Sequence, residues 1–195
     1  MVNRERQRAA SHERILSAAA RLLRERGLQD ATVGSVMARA GMTVGGFYAH
    51  FHSKRALMAS AFSRASEHTR AALLAGLENA APETWLRTIV RRYVTPEHRD
   101  ANPPLCALPV TISEAARAGR SDRQVYADAF GRFVTALEQR AGDLPQGRRA
   151  ARERAIGLLI ACVGGVALAR ATRGTPISDE ILASARRLGE RLIEP

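Results

Sequence analysis

Between Thr32 and Leu57 the chain reads TVGSVMARAGMTVGGFYAHFHSKRAL, and its side-chain types suit contact with a nucleic acid. Thr32 is a good N-cap, Val33, Val36 and Met37 set an apolar stripe at helical spacing, and Gly41 ends the helix by taking a left-handed residue without Cβ strain. Thr43 caps a second helix, in which Phe47 and Phe51 face inward while Val44, Gly46, Tyr48, Ala49 and His50 stay on or near the outward faces. Two helices joined by a short glycine-containing turn form a helix-turn-helix, whose second helix enters the major groove. There the methyl groups of Val44 and Ala49 can meet the thymine methyl but make no bidentate hydrogen bonds to guanine or adenine, so direct readout is thin. Thr43 can bond a base or a phosphate, and Gly45 and Gly46 let the backbone come close to DNA. Each glycine weakens a helix by roughly 1 kcal/mol, so this helix is expected to be partly ordered by DNA. Thr32 and Arg39, on the preceding helix, complete the candidate contacts.

No catalytic arrangement accompanies this segment, and the chain is expected not to be an enzyme. His50 and His52 form an H-x-H, but with only His12 nearby and no adjacent cysteine no metal is expected, nor any other cofactor. The chain contains no P-loop, dinucleotide fingerprint, G-x-S-x-G or H-E-x-x-H. Cys106 and Cys162 make no disulfide framework. Cys106 lies near an expected helix start, a setting that can favour thiolate, but its apolar neighbours Leu105, Ala107 and Leu108 favour inert packing.

The elements that must position these residues read as helices throughout, so the expected fold class is all-α. A first helix should start at the Ser11 cap, bury Ile15, Ala19, Leu22 and Leu23, and stop at Gly27. After Ser53 a long helix should run to about Leu74; the next should hold Trp85, Ile89 and Tyr93 before TPEHRDANPP at Thr95 to Pro104 breaks the pattern. Further helices are expected over Leu105 to Ala118, from the Ser121 cap through Leu137, over Arg148 to Thr172 as one unbroken helix, and from a Ser178 cap to Ile193, with a loop GDLPQG at Gly142 to Gly147. The run Ala155 to Ala169 is apolar all round, short of the ~20 residues a membrane-spanning helix needs, and must be covered. Val166, within it, is expected at a subunit contact.

Thirty Lys and Arg against nineteen Asp and Glu give a net charge of +11 and a pI near 11.2, which favours a polyanionic partner. Residues 1 to 55 alone carry ten basic and four acidic side chains. The N-terminus MVNRERQRAASHER has no apolar signal region, so a cytoplasmic protein with no membrane partner is expected.

The helix SHERILSAAARLLRERG at Ser11 to Gly27, the turn ARAGMT and the segment FYAHFHSKRAL together resemble the DNA-binding domain of the TetR family of bacterial transcriptional repressors. The resemblance implies a basic arm over residues 1–10, a DNA-binding domain over 11–55, and an effector-binding and dimerisation domain over 56–195. It also implies phosphate contacts from Tyr48, His50 and Lys54, whose hydroxyl, imidazole and ammonium donors suit phosphate oxygens. Arg55 stands where glutamate is common in the family, a cation at a positive helix end that a nearby phosphate would offset. The last two helices are expected to pair with those of a second copy, giving a homodimer on a near-palindromic double-stranded operator. An unidentified small-molecule effector, with candidate contacts Phe62, Trp85, Tyr93, Cys106, Tyr126, Phe130 and Cys162, would then release the operator. The rival expectation is an all-α small-molecule-binding protein or enzyme that binds no operator.

Overall fold

The computed structural model describes residues 2–144 and 147–194 and contains helices but no strand among them, so the fold class is all-α. Helix α1 (Val2–Asp30), α2 (Val33–Arg39) and a 3₁₀ segment (Val44–Ala49) form a head, from which α3 (Lys54–Leu74) leads away. The body follows as α4 (Pro82–Tyr93), α5 (Pro96–Asp100), α6 (Leu108–Arg117), α7 (Arg120–Ala141), α8 (Gly147–Leu159), a π turn (Ile160–Gly164), α9 (Gly165–Ala171) and α10 (Pro176–Arg191). The expected loop at Gly142 to Gly147 includes Pro145 and Gln146, which lie outside the described residues.

Several boundaries differ from expectation for local reasons. Helix α1 starts at Val2, not at Ser11, because Arg4 to Ala10 consists of strong helix formers with no breaker; residues 2–10 are therefore helical. The stretch Thr95 to Pro104 is not wholly irregular: Thr95 accepts from the His98 amide and Pro96 sits in the first turn of α5. Thr175, not Ser178, precedes α10; Ser178 is buried inside it, donating to the Ala169 carbonyl at 2.7 Å and accepting from Arg99 at 2.9 Å. Gly119, not Ser121, occupies the N-cap of α7.

One continuous core joins head and body. Ile15, Leu22 and Leu23 of α1 pack with Val36, Met37, Phe47 and Leu57, and the cluster continues through Phe62 to Leu86, Val90, Leu108 and Leu158. Helix α3 carries that continuity, since it packs on α1 at one end and on α7 further along. The apolar run that begins in α8 is broken by the π turn, and α9 then lies close against α10: a Cβ on Gly165 would fall 2.4 Å from the Ala185 Cβ. The segment Ala150–Ala171 is long and apolar enough to cross a membrane, but half of it is buried within the chain, where α8 packs on α7 and α9 on α10. Val166 is fully buried within the chain and so reports on the core, contrary to its expected place at a subunit contact.

His98, buried beside Tyr93 with ring centroids 4.2 Å apart, is held neutral. Burial, reinforced by the Arg170 guanidinium, lowers its pKa from 6.5 to about 4. The unfolded chain then binds the extra proton more readily, so stability is full above pH 6.5 and falls as the pH drops toward 4. The loss should approach ~3 kcal/mol at the acid end of that window, and His98→Asn should flatten it; urea denaturation at a series of pH values checks both.

Candidate nucleic-acid interface

The head is built from local signals. The Thr32 hydroxyl accepts from the Ser35 amide at 3.1 Å to start α2, Gly41 turns the chain out with φ 66°, and the Ser53 hydroxyl accepts from the Ala56 amide at 3.1 Å to start α3. The expected second helix forms as a 3₁₀ segment over Val44–Ala49, and the Thr43 side chain makes no capping bond. Two adjacent glycines weaken the α alternative, and the tighter 3₁₀ coil has poorer hydrogen-bond geometry. Phe47 is buried beneath the segment at 1 % exposure and stacks near Phe51, centroids 6.1 Å apart.

Above that anchor the segment presents Val44 at 53 % and Tyr48 at 76 % exposure. Thr43, Gly45 and Ala49 are exposed beside them, and His50 is half-buried. A Cβ on Gly45 would meet nothing within 4 Å, and one on Gly46 only the Met37 methyl at 3.9 Å. Packing within the chain therefore requires neither glycine. Burial, then His12 and Arg8, holds the His50 pKa below the usual imidazole range.

The cations are differently disposed from expectation. Arg39 is bound to Glu25 at 2.7 Å, and Glu25 also accepts from Arg21 at 2.9 Å, which keeps its carboxyl below the usual range. Lys54 donates to the Gln29 carbonyl at 2.8 Å, and Arg55 pairs with Asp122 at 2.8 Å, so a carboxylate of α7 supplies the anion expected from phosphate. Arg8, which the sequence left in an arm, donates to the Ala49 carbonyl at 3.0 Å and so braces the end of the 3₁₀ segment. That tie needs α1 to be helical from Val2, which the helix-forming composition of residues 4–10 signalled.

The expected effector contacts separate into two places. Trp85, Tyr93 and Cys162 line a gap of only about 20 Å³ in the body core. Cys106 is fully buried beside them, and burial pushes its thiol up and that of Cys162 up to about 12, a setting that suits packing. Phe130 is half-buried against the same core. Phe62 and Tyr126, stacked with centroids 5.6 Å apart, instead wall a cavity of about 410 Å³ between head and body. Sequence reasoning missed its other walls, Leu28, Met58, Glu114 and Val125 among them. It also missed the tie beside it: Gly27, at φ 81°, turns the Leu28 and Gln29 amides toward Glu114 of α6, whose carboxylate accepts from them at 2.8 and 3.0 Å. Nothing local pairs residues so far apart in sequence.

A buried aromatic anchor under an exposed segment, carried on a larger helical body, has the build of a helix-turn-helix head. Residues 15–61 match the family model of bacterial regulatory proteins of the tetR family, so this segment resembles that family's DNA-binding domain, and the chain as a whole has the fold of solved members of the family. The whole chain resembles solved TetR-family regulators. One from Cytophaga hutchinsonii is 19% identical with a TM-score of 0.75, covering 94% of this chain and 94% of that one. One from Chloroflexus aurantiacus is 22% identical with a TM-score of 0.74, covering 93% and 95%. One from Legionella pneumophila is 18% identical with a TM-score of 0.75, covering 92% and 95%. No curated protein sequence matches the chain.

Proposed function

We propose that the protein is a cytoplasmic homodimeric repressor, released from a near-palindromic operator by a small-molecule effector. The observation that carries the reading is the exposed pair Val44 and Tyr48, raised on a 3₁₀ segment whose only buried residue is Phe47. Large apolar and aromatic side chains left in water on a reading segment, beside two glycines that packing does not need, suit a surface that DNA covers. In this reading residues 11–55 bind DNA, braced by the helical residues 2–10, and residues 56–195 take the effector and a second copy.

The proposed contacts are Thr43, Val44, Gly45, Gly46, Tyr48 and Ala49 on the segment, His50 at its end, and Thr32 and Arg39 on α2. Arg39 reaches DNA only by leaving Glu25, and Lys54 only by leaving Gln29. A second copy is supported by Ile160 and Leu168 at 61 % and 60 % exposure and by Ile177 and Leu188 on α10, apolar side chains that an isolated chain leaves in water. Symmetric pairing through them would place two reading segments on successive major grooves, ~34–36 Å apart.

Electrophoretic mobility shift with the DNA upstream of the protein's own gene tests the reading. Saturable binding that weakens steeply with salt is expected; no preference over random DNA of the same length overturns it. Tyr48→Phe should weaken all sequences alike, by about threefold to tenfold, with the salt slope unchanged because a neutral hydroxyl releases no counterion. Lys54→Ala should likewise leave the slope in place, since its ammonium is tied to Gln29; a slope smaller by about 0.9 would instead put Lys54 on phosphate. Val44→Ala should discriminate, hurting operators that carry thymine at one position of each half-site.

A further inference from the structure

We propose that the 410 Å³ cavity between head and body is the effector site, and that it takes an apolar monocarboxylate. This rests on the effector reading above and adds the location and the chemistry of the ligand.

The cavity is of ligand size and has walls of two kinds. Its floor is apolar: Met58 and Phe62 of α3 are buried, Val125 and Tyr126 of α7 are half-buried, and the rings of Phe62 and Tyr126 stack. Its rim is charged, with Lys54, Arg55 and Arg117 against Glu114 and Asp122, which leaves one positive charge over. Both acids are already engaged. Asp122 is bound to Arg55 at 2.8 Å, and Glu114 accepts the Leu28 and Gln29 amides. Arg117, on the exposed end of α6, has no carboxylate partner among the described residues, and Lys54 is bound only to a neutral carbonyl. An apolar tail would cover the floor while a single carboxylate met the surplus charge. A cationic ligand would meet that charge unfavourably, and a neutral one would leave it unanswered.

The position of the cavity explains how such a ligand would act. Its walls come from the end of α1, the start of α3, α6 and α7, so they belong to both head and body. A carboxylate is a stronger acceptor for an ammonium than a peptide carbonyl is, because it adds the attraction of opposite charges to the hydrogen bond. It therefore competes with Gln29 for Lys54 and loosens a tie between the end of α1 and the start of α3, the helix that leads from head to body. A ligand that binds better when that tie is open shifts the protein toward the open arrangement, and operator affinity falls by linkage.

Calorimetric titration of the full-length protein with octanoate, octanol and octylamine tests the assignment. Octanoate should bind about fivefold tighter than octanol, the effect of one charge contact at a partly exposed site, and octylamine weaker than either. Arg117→Ala combined with Lys54→Ala, which removes both cations without a carboxylate partner among the described residues, should bring octanoate to the affinity of octanol and leave octanol unmoved. Ala59→Phe, which fills the cavity, should weaken all three probes at least tenfold. Equal binding of the three probes, no binding of any, or an octanoate affinity indifferent to both variants overturns the assignment. Operator binding with and without octanoate separates the two readings. If octanoate binds as described without weakening operator binding, the carboxylate site stands and the effector role falls. If a neutral or cationic compound releases the operator while octanoate fails to bind, the effector reading stands and the carboxylate assignment falls.

Discussion

Replacing Gly27 with valine is expected to destabilise the protein by about 3 kcal/mol or more and to lower its melting temperature by ~10 °C. Two effects combine. The backbone at Gly27, φ 81° and ψ −174°, lies in a region that only glycine occupies freely, and forcing another residue there costs about 1–3 kcal/mol. A Cβ at this position would also lie 2.5 Å from a Glu114 oxygen, so the carboxylate must withdraw from the Leu28 and Gln29 amides. Glu114→Ala removes the carboxylate without backbone strain and should cost about half as much. The two substitutions share one contact, so their effects should be less than additive, by ~1 kcal/mol. Thermal denaturation of the four proteins measures this. Full additivity would mean that Gly27 and Glu114 act independently, and would sever the proposed link between α6 and the head.

Leu168→Asp and Ile160→Asp are expected to convert the protein to a folded monomer and to reduce operator affinity at least a hundredfold. Both side chains stand about three-fifths exposed, so a carboxylate there meets water in the isolated chain and leaves the core intact. In a symmetric dimer each would be desolvated, and near the axis the two introduced charges would also repel. Losing the second reading segment removes an effectively intramolecular binding step, which is typically worth 10²–10⁴ in affinity. Light scattering at micromolar concentration gives the assembly state, and circular dichroism shows that helix content is kept. If both variants remain dimers, the face formed by α8, the π turn, α9 and α10 is not the subunit contact. Val166→Asp is no substitute, because its side chain is buried and the variant would fail through its core.

The parts of the fold that the sequence made legible are those fixed within a few residues. Thr32, Gly41 and Ser53 cap or end their helices as their types demand, and the four-residue interval from Phe47 to Phe51 puts both rings inward. Cys106 and Cys162, surrounded by apolar neighbours, are buried as those neighbours imply. What was not legible depends on partners distant in the chain. Gly27 announced a helix end but not that the amides after it would hold Glu114, and Lys54 announced a cation but not that Gln29 would hold it. Phe62 and Tyr126 were set among seven aromatic and sulfur-bearing candidates because type alone does not distinguish a cavity wall from filled core. The 3₁₀ form of Val44–Ala49 lies between: the glycine pair signalled weakness in an α-helix, but not which coil would replace it.

The π turn at Ile160–Gly164 sets the phase of everything after it. In an uninterrupted α-helix, residues eight apart such as Ile160 and Leu168 would point roughly 80° away from each other, at about 100° per residue. A turn that takes up one additional residue brings the eight-residue interval back to within ~20° of alignment, so both side chains emerge on one face. The single widened turn thus acts as a one-residue insertion already absorbed. Deleting one residue from it would keep the apolar composition and helix content unchanged while swinging Leu168 out of line with Ile160. The face proposed for a second copy is therefore set by residue count as well as residue type, and a chain with a regular helix here would be out of register with this one even if every apolar side chain were shared.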